Sequence, residues 1–230
     1  MRDAVAIIRK ELTELSTDWQ SFYGTFVQTT VVVLLCGVFV PARSSSVWTQ
    51  PTDLVMLYAI FPSIVAALFA ADSFAGERER NTLETLLATP VSDRAIYLGK
   101  VLAALGISVS CSLMVLLAAV VTTLVKGDDP LPVVGLSGLL SLVAGSVVFG
   151  LNTTALATAV SSRARVARSA QQLSSMLSLL LSVLFLWLTS LLHLSSAWMK
   201  VAVVDGALLV LGTTTLALGL RAFNRHRLFG

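Results

Sequence analysis

The segment Ala71-Asp-Ser-Phe-Ala-Gly-Glu-Arg-Glu-Arg-Asn-Thr-Leu-Glu-Thr-Leu-Leu-Ala-Thr-Pro-Val-Ser-Asp-Arg94 is a polar island between two long apolar runs. Both of its ends are therefore tied to membrane helices. Within it Asn81 is placed to cap a short helix, with Glu84 reaching back from the third helical position. Leu83, Leu86 and Leu87 then share one face, and Thr89-Pro90 ends the helix. The pattern predicts a short amphipathic helix over Asn81–Ala88 on the membrane surface, with charge on either side. Its form is that of a docking element.

Composition fixes the solvent around the rest. Of 230 residues, 56% are hydrophobic and 13% charged, and the mean hydropathy is +0.85. A water-soluble domain cannot hide that much apolar surface, so lipid must surround most of the chain. Six windows reach the roughly 20 residues a helix needs to cross hydrocarbon. They lie near Gln20–Val40, Leu54–Ala71, Leu98–Val125, Val133–Val160, Ala170–Leu192 and Val201–Leu220. The third and fourth exceed a straight crossing, which predicts tilt or protruding ends. Pro62 predicts a bend in the second.

Basic residues orient these spans. Thirteen of the 16 Lys and Arg fall on one side, among them Arg9, Arg78, Arg94, Arg163 and Arg225; only Arg43, Lys126 and Lys200 fall on the other. Positive charge marks the cytosolic side, so both termini and the island are expected there. The net charge of +3 reads as this topology signal and not as a nucleic-acid surface, since no basic face interleaved with aromatics accompanies it. Trp19, Trp48 and Trp198 are expected in an interfacial belt. The first 19 residues read as an interfacial amphipathic helix, with Val5, Ile8, Leu12, Leu15 and Trp19 opposite Arg9, Lys10, Glu11 and Glu14.

Several chemistries find no residues to carry them. No G-x-x-x-x-G-K-[ST] loop is present for nucleotide phosphates. Ionisable groups within the spans are sparse: Asp72 is expected at the cytosolic edge of the second, and Asp205 about a turn inside the outer edge of the sixth. No metal-ligand spacing or catalytic triad appears. Cys36 and Cys111, far apart in apolar runs, are expected to be small packing residues. The serines Ser174, Ser175, Ser178 and Ser182, with Gly145, Gly150, Gly206, Gly212 and Gly219, read as places where helices approach closely. The chain is expected to be no enzyme, with no catalytic or metal-binding residues and no cofactor of its own.

The run Phe74-Ala-Gly-Glu-Arg-Glu-Arg-Asn-Thr-Leu-Glu-Thr-Leu-Leu-Ala-Thr-Pro-Val-Ser followed by Leu98-Gly-Lys100 resembles the loop of type-2 ABC transporter permeases. A second patch, Arg163-Ala-Arg-Val-Ala-Arg-Ser-Ala-Gln-Gln-Leu173, is similar to the basic stretch opening that family's fifth span. The resemblance implies an all-α integral membrane protein forming one permease domain over 1–230: an N-terminal interfacial helix (1–19), six transmembrane helices and a short cytosolic coupling helix within the loop 72–97. It implies a permease dimer bound to two ABC ATPase subunits, which carry ATP and Mg, in the plasma or inner membrane. Glu77, Arg78, Glu79, Asn81, Thr82, Leu83, Glu84, Leu86 and Leu87 would be the ATPase-coupling residues. Where the family often has Gly, this chain has Asn81, which tolerates a left-handed backbone. Export of amphipathic or lipid-like cargo is the reading favoured by apolar spans. A secondary transporter or channel, a membrane assembly protein, and a haem-export or cytochrome c maturation permease stand as alternatives.

Overall fold

The computed structural model describes residues 2–17, 19–82, 91–128, 130–164, 166–193 and 196–223. Among these the secondary structure is helical throughout, with no strand. An N-terminal helix, α1 (Arg2–Thr17), precedes six helices long and apolar enough to cross a membrane. We number these spans 1 (Tyr23–Arg43), 2 (Pro51–Glu79), 3 (Asp93–Val125), 4 (Pro132–Ser161), 5 (Ala167–Leu191) and 6 (Ala197–Arg221). Each expected window is matched. Spans 2 and 3 run further into the polar island than hydropathy alone indicated, so the stretches 72–79 and 93–97 are helical.

Two spans carry a widened π turn just upstream of a proline. Val33–Phe39 precedes Pro41 in span 1, and Met56–Ile60 precedes Pro62 in span 2. A helical proline lacks its N–H and crowds the carbonyl four residues back; a π turn absorbs that conflict. Pro62 therefore acts through a local change of winding. Span 4 breaks differently, at Gly135 with φ 68° and ψ 171°, a conformation that a Cβ would strain.

Span 2 is the buried centre of the bundle and span 1 its periphery. The contact of span 2 with its neighbours is made largely of alanine. Ala67, Ala70, Ala71 and Ala75 meet Ala104 of span 3, Ala157 of span 4, and Ala167 and Ala170 of span 5. Small side chains let helices approach closely where lipid supplies no hydrophobic drive for association. Ser174, Ser178 and Ser182 are buried as expected, and the hydroxyls of Ser178 and Ser182 donate to carbonyls one turn back at 2.8 Å. Gly150 fits the close-approach reading, because a Cβ there would lie 2.7 Å from the Ser108 hydroxyl; Gly206 faces open space and does not.

Away from the island, a large apolar core holds the bundle, with Phe149 and Phe185 edge-to-face at 5.0 Å. Trp48 belongs to this core and departs from the expected interfacial belt. It is 4% exposed, stacks on Tyr58 at 5.6 Å, and donates its indole N–H to Thr123 Oγ1 at 3.0 Å. Large apolar side chains such as Phe26, Leu34, Leu117, Leu180 and Val210 point outward, the surface a lipid-facing bundle presents. Spans 5 and 6 are separated by residues 192–196 alone, too few for a re-entrant helix.

Candidate functional site

The end of span 2 leads straight into the 83–90 stretch, and its termination is local. Arg80 N–H donates to Gly76 O at 2.9 Å, Asn81 N–H to Arg78 O at 3.2 Å, and Thr82 N–H to Glu77 O at 2.9 Å. Asn81 has φ +57°. This is a Schellman closure with Asn81 in the left-handed position usually taken by glycine. The left-handed backbone is as the sequence suggested, but its use differs. An N-cap residue is extended, so Asn81, with its left-handed backbone, ends span 2 in a conformation other than that of the expected N-cap. Leu83, Glu84, Leu86 and Leu87 lie outside the described residues. Downstream, span 3 opens with its own cap, Ser92 Oγ accepting from Ala95 N–H at 3.3 Å, and Asp93 in the first turn.

The four charges Glu77-Arg-Glu-Arg80 fan out around the helix end, each to a different partner. Glu77 is buried, 3% exposed. Its Oε1 accepts from Lys10 of α1 at 2.7 Å, and its Oε2 lies 3.2 Å from Lys100 of span 3. Arg78 reaches across to the carbonyls of Ser162 and Ala164, in the link between spans 4 and 5. Glu79 accepts from the backbone N–H of Ala167 at 3.0 Å, placing a carboxylate on the unpaired donors that open span 5. Arg80 folds back on Asp72 at 3.3 Å. Ser161 adds a further tie: its hydroxyl donates to Ala71 O at 2.6 Å and accepts from the amides of Phe74 and Ala75.

Lys100 is the residue whose role the sequence did not reveal. Its side chain is wholly buried, and its ammonium meets Glu11 Oε1 at 2.6 Å, Ser73 O at 2.8 Å and Glu77 Oε2 at 3.2 Å. The first two are hydrogen bonds; the third is an ion-pair contact, and Glu77 Oε2 accepts no hydrogen bond among the described residues. The Phe74 ring lies 5.0 Å away, and Ile7, Phe74, Ile96, Tyr97 and Val101 seal the place with apolar surface. Burial pulls the Lys10 ammonium toward neutrality. The hydrogen bond and charge of Glu77, with help from Glu14 and Glu11, outweigh that and hold its pKa above the ordinary lysine value. Carboxylate oxygens of Glu11, Glu14 and Glu77 come within 4.8 Å of one another, and the two lysines already supply the positive charge such a cluster calls for.

α1 is a helix; of its expected interfacial stripe Val5 is exposed and Ile8 partly buried, and the side chains of Leu12, Leu15 and Trp19 lie outside the described residues. Ile7 and Glu11 are buried, whereas Val5 is 62% exposed. The carboxylate of Glu11 has turned inward because Lys100 is there to receive it. The acidic residues of an otherwise basic leader were the available signal, together with a lysine set among the apolar residues of span 3. Asp205 also sits deeper than expected. Span 6 begins at Ala197, so Asp205 lies two turns in, 7% exposed, with its Oδ1 unbonded among the described residues.

Residues 5–227 match the family model described as "ABC-2 family transporter protein". The chain belongs to that family. Its six apolar helices make it a multi-pass membrane protein of that transporter family. A curated relative is the ABC transporter permease protein NatB of Bacillus subtilis (strain 168), 29% identical over 114 residues. The match spans 42% of this chain and 30% of NatB. Within an ABC-2 permease, the described residues bring three of the expected coupling residues, Glu77, Arg78 and Glu79, onto the base of one segment. They join it to α1, to span 3 and to the link between spans 4 and 5. Thr82 completes the turn by donating its hydroxyl to Glu77 O at 3.3 Å.

Proposed function

We propose that this ABC-2 permease moves an amphipathic or lipid-like substrate out of the cytosol, driven by ATP that a separate ATPase hydrolyses with Mg. The observation that carries this reading is the anchorage of the 83–90 segment. At its upstream root Glu77, Arg78 and Glu79 tie span 2 to other elements, while Arg80 folds back on Asp72 of its own helix. A segment meant only to stay out of lipid needs no such bracing. In this reading Leu83, Leu86 and Leu87 form an apolar knob that enters a cleft of the ATPase. Glu84 and Thr82 set the knob's start, and the bracing passes displacement of the knob to the spans.

Two permease chains and two ATPase subunits make the working unit, because one six-helix bundle offers no path between two halves. The thirteen-to-three distribution of basic residues supports cytosolic termini and a place in the plasma or inner membrane. The whole chain serves as a single permease domain with nucleotide and metal held by the partner. The test is hydrolysis by purified components. The permease alone, as a homodimer in lipid vesicles, is expected to hydrolyse no ATP, and its addition to the cognate ATPase is expected to stimulate hydrolysis. Robust hydrolysis by rigorously pure permease would sink the reading.

A further inference from the structure

Span 1 and span 3 pack closely at one level and leave room at another. Gly37 lies against Val115 and Ala118, where a Cβ would come within 2.8 Å of the Ala118 methyl, and Thr122 Oγ1 donates to Gly37 O at 3.3 Å. Nearer α1, a cavity of about 320 Å³ opens between the two helices. Its walls include Ile8 of α1, Thr29 of span 1 and Leu102, Gly106, Ser110 and Met114 of span 3. The four span 3 residues are spaced by four, so they form one row along a single helix face. All four are exposed, but their sizes differ. Leu102 and Met114 stand up at the ends, Ser110 is small, and a Cβ on Gly106 would meet nothing within 4 Å. A row that is tall at both ends and low between them makes a trough.

From Leu102 to Met114 the helix rises about 18 Å, and one leaflet of a hydrocarbon layer about 30 Å thick is about 15 Å deep. The trough therefore has the length of one acyl chain. In hydrocarbon such a hollow takes up a chain that fits it, because bare lining atoms forfeit their dispersion contacts and apolar walls give water too few partners. A cation stands at the α1 end. Lys10 is taken up by Glu77 and Glu14, whereas Arg9, the residue after the wall residue Ile8, is exposed and forms no ion pair among the described residues. A guanidinium holds a phosphate through paired hydrogen bonds, and basic side chains just outside the hydrocarbon draw anionic lipids.

We propose that the trough is a binding site for an anionic phospholipid of the leaflet beside α1, one acyl chain lying along Leu102–Met114 and the phosphate on Arg9. The lipid is resident and is not cargo. Directly beyond Met114 the packing of Gly37 on Val115 and Ala118 shuts the trough, so the chain has no way on into the other leaflet. The site stands whether or not the 83–90 segment receives the ATPase.

The test is photolabelling of the permease in phosphatidylcholine vesicles that carry a trace of phosphatidylglycerol with a diazirine in one acyl chain. Labelled peptides are then located by mass spectrometry. Leu179 and Leu180, outward on span 5, report ordinary contact with the bilayer, and labelling of 102–114 is expected to exceed theirs severalfold. Gly106→Leu puts a side chain into the trough. It is expected to lower labelling there about tenfold, as excluding about two methylenes does, with span 5 unchanged. Should that variant fail to fold, Ser110→Leu in the same row is expected to do the same. Arg9→Gln is expected to bring phosphatidylglycerol down to the level of phosphatidylcholine carrying the same diazirine. Equal labelling of the two spans, or labelling of 102–114 that the leucine leaves unchanged, means bilayer contact only and overturns the site. No labelling of 102–114 in the unaltered permease means that a second copy covers the trough, which overturns it too. Equal labelling by the two lipids in the unaltered chain overturns the anionic headgroup. Loss of the label while the cognate ATPase hydrolyses ATP makes the lipid cargo and overturns its residence.

Discussion

The two ends of the bundle are held together by different physics. At the end bearing the island, Lys10, Glu11, Glu77, Lys100, Arg78 and Glu79 make directional bonds between elements distant in sequence. At the far end an apolar core with Trp48, Tyr58, Leu54 and Val55 dominates, and its polar ties are hydrogen bonds without a charged acceptor: the Trp48 indole to Thr123, Thr122 to Gly37 O and Lys126 to Ala42 O. Apolar contacts permit small slides at little cost, whereas buried ion pairs hold a register or break. The polar end is thus suited to receiving a displacement and the far end to yielding to it.

The contrast is sharpest in the cost of removing one group from each end. Lys100→Met strands Glu11 in an apolar setting and removes one partner of Glu77, and is expected to cost about 3–5 kcal/mol. Trp48→Phe keeps most of the ring and loses one hydrogen bond. Thr123 retains its bond to Ala119 O, so the expected loss is about 1 kcal/mol. Thermal unfolding in one detergent measures both, and equal losses would erase the distinction between the ends. Asn81→Val, a β-branched residue forced into the left-handed region, falls between them at about 1–2 kcal/mol. Asn81→Gly is expected to unfold at or slightly above the starting temperature.

The smallest effect concerns pH. The pKa of Lys10 is raised in the folded chain, so its contribution is complete below the ordinary lysine value of about 10.4. It is lost only as pH climbs through the higher folded value. A spin label at the exposed Ala6 is expected to keep one mobility across roughly pH 6–9 and to gain freedom only in more alkaline solution. Gain of mobility near neutrality would show that another group holds α1.

Hydropathy and charge placement alone gave all six spans, because both are properties of residues taken in sequence. That Pro62 disturbs its helix, which it does as a π turn upstream, and that Asn81 takes a left-handed backbone were also legible, each from one residue's backbone chemistry. Missing were facts that depend on which elements meet. Lys100 was counted as a topology charge; its role as the centre of a buried cluster needs Glu11, 89 residues away. Trp48 looked interfacial because it lies near a span end, and only the fold brings Tyr58 and Thr123 to it. Asp205 looked marginal because a charge lowers local hydropathy and so shortens the apparent span.

The central claim is that the island is where the ATPase docks, and its apolar knob gives the most direct measurement. Burying a leucine is worth about 1.5–3 kcal/mol, so losing two weakens docking by about two or more orders of magnitude. Exposed charges are worth about 0–1 kcal/mol each and matter less singly. Leu83→Asp with Leu86→Asp is therefore expected to abolish co-purification of the ATPase while membrane insertion and dimerisation persist. Ser45→Asp with Ser46→Asp, in the loop joining spans 1 and 2, is expected to leave the complex intact. An ATPase that still binds the leucine variant and is still stimulated by it would contradict the account.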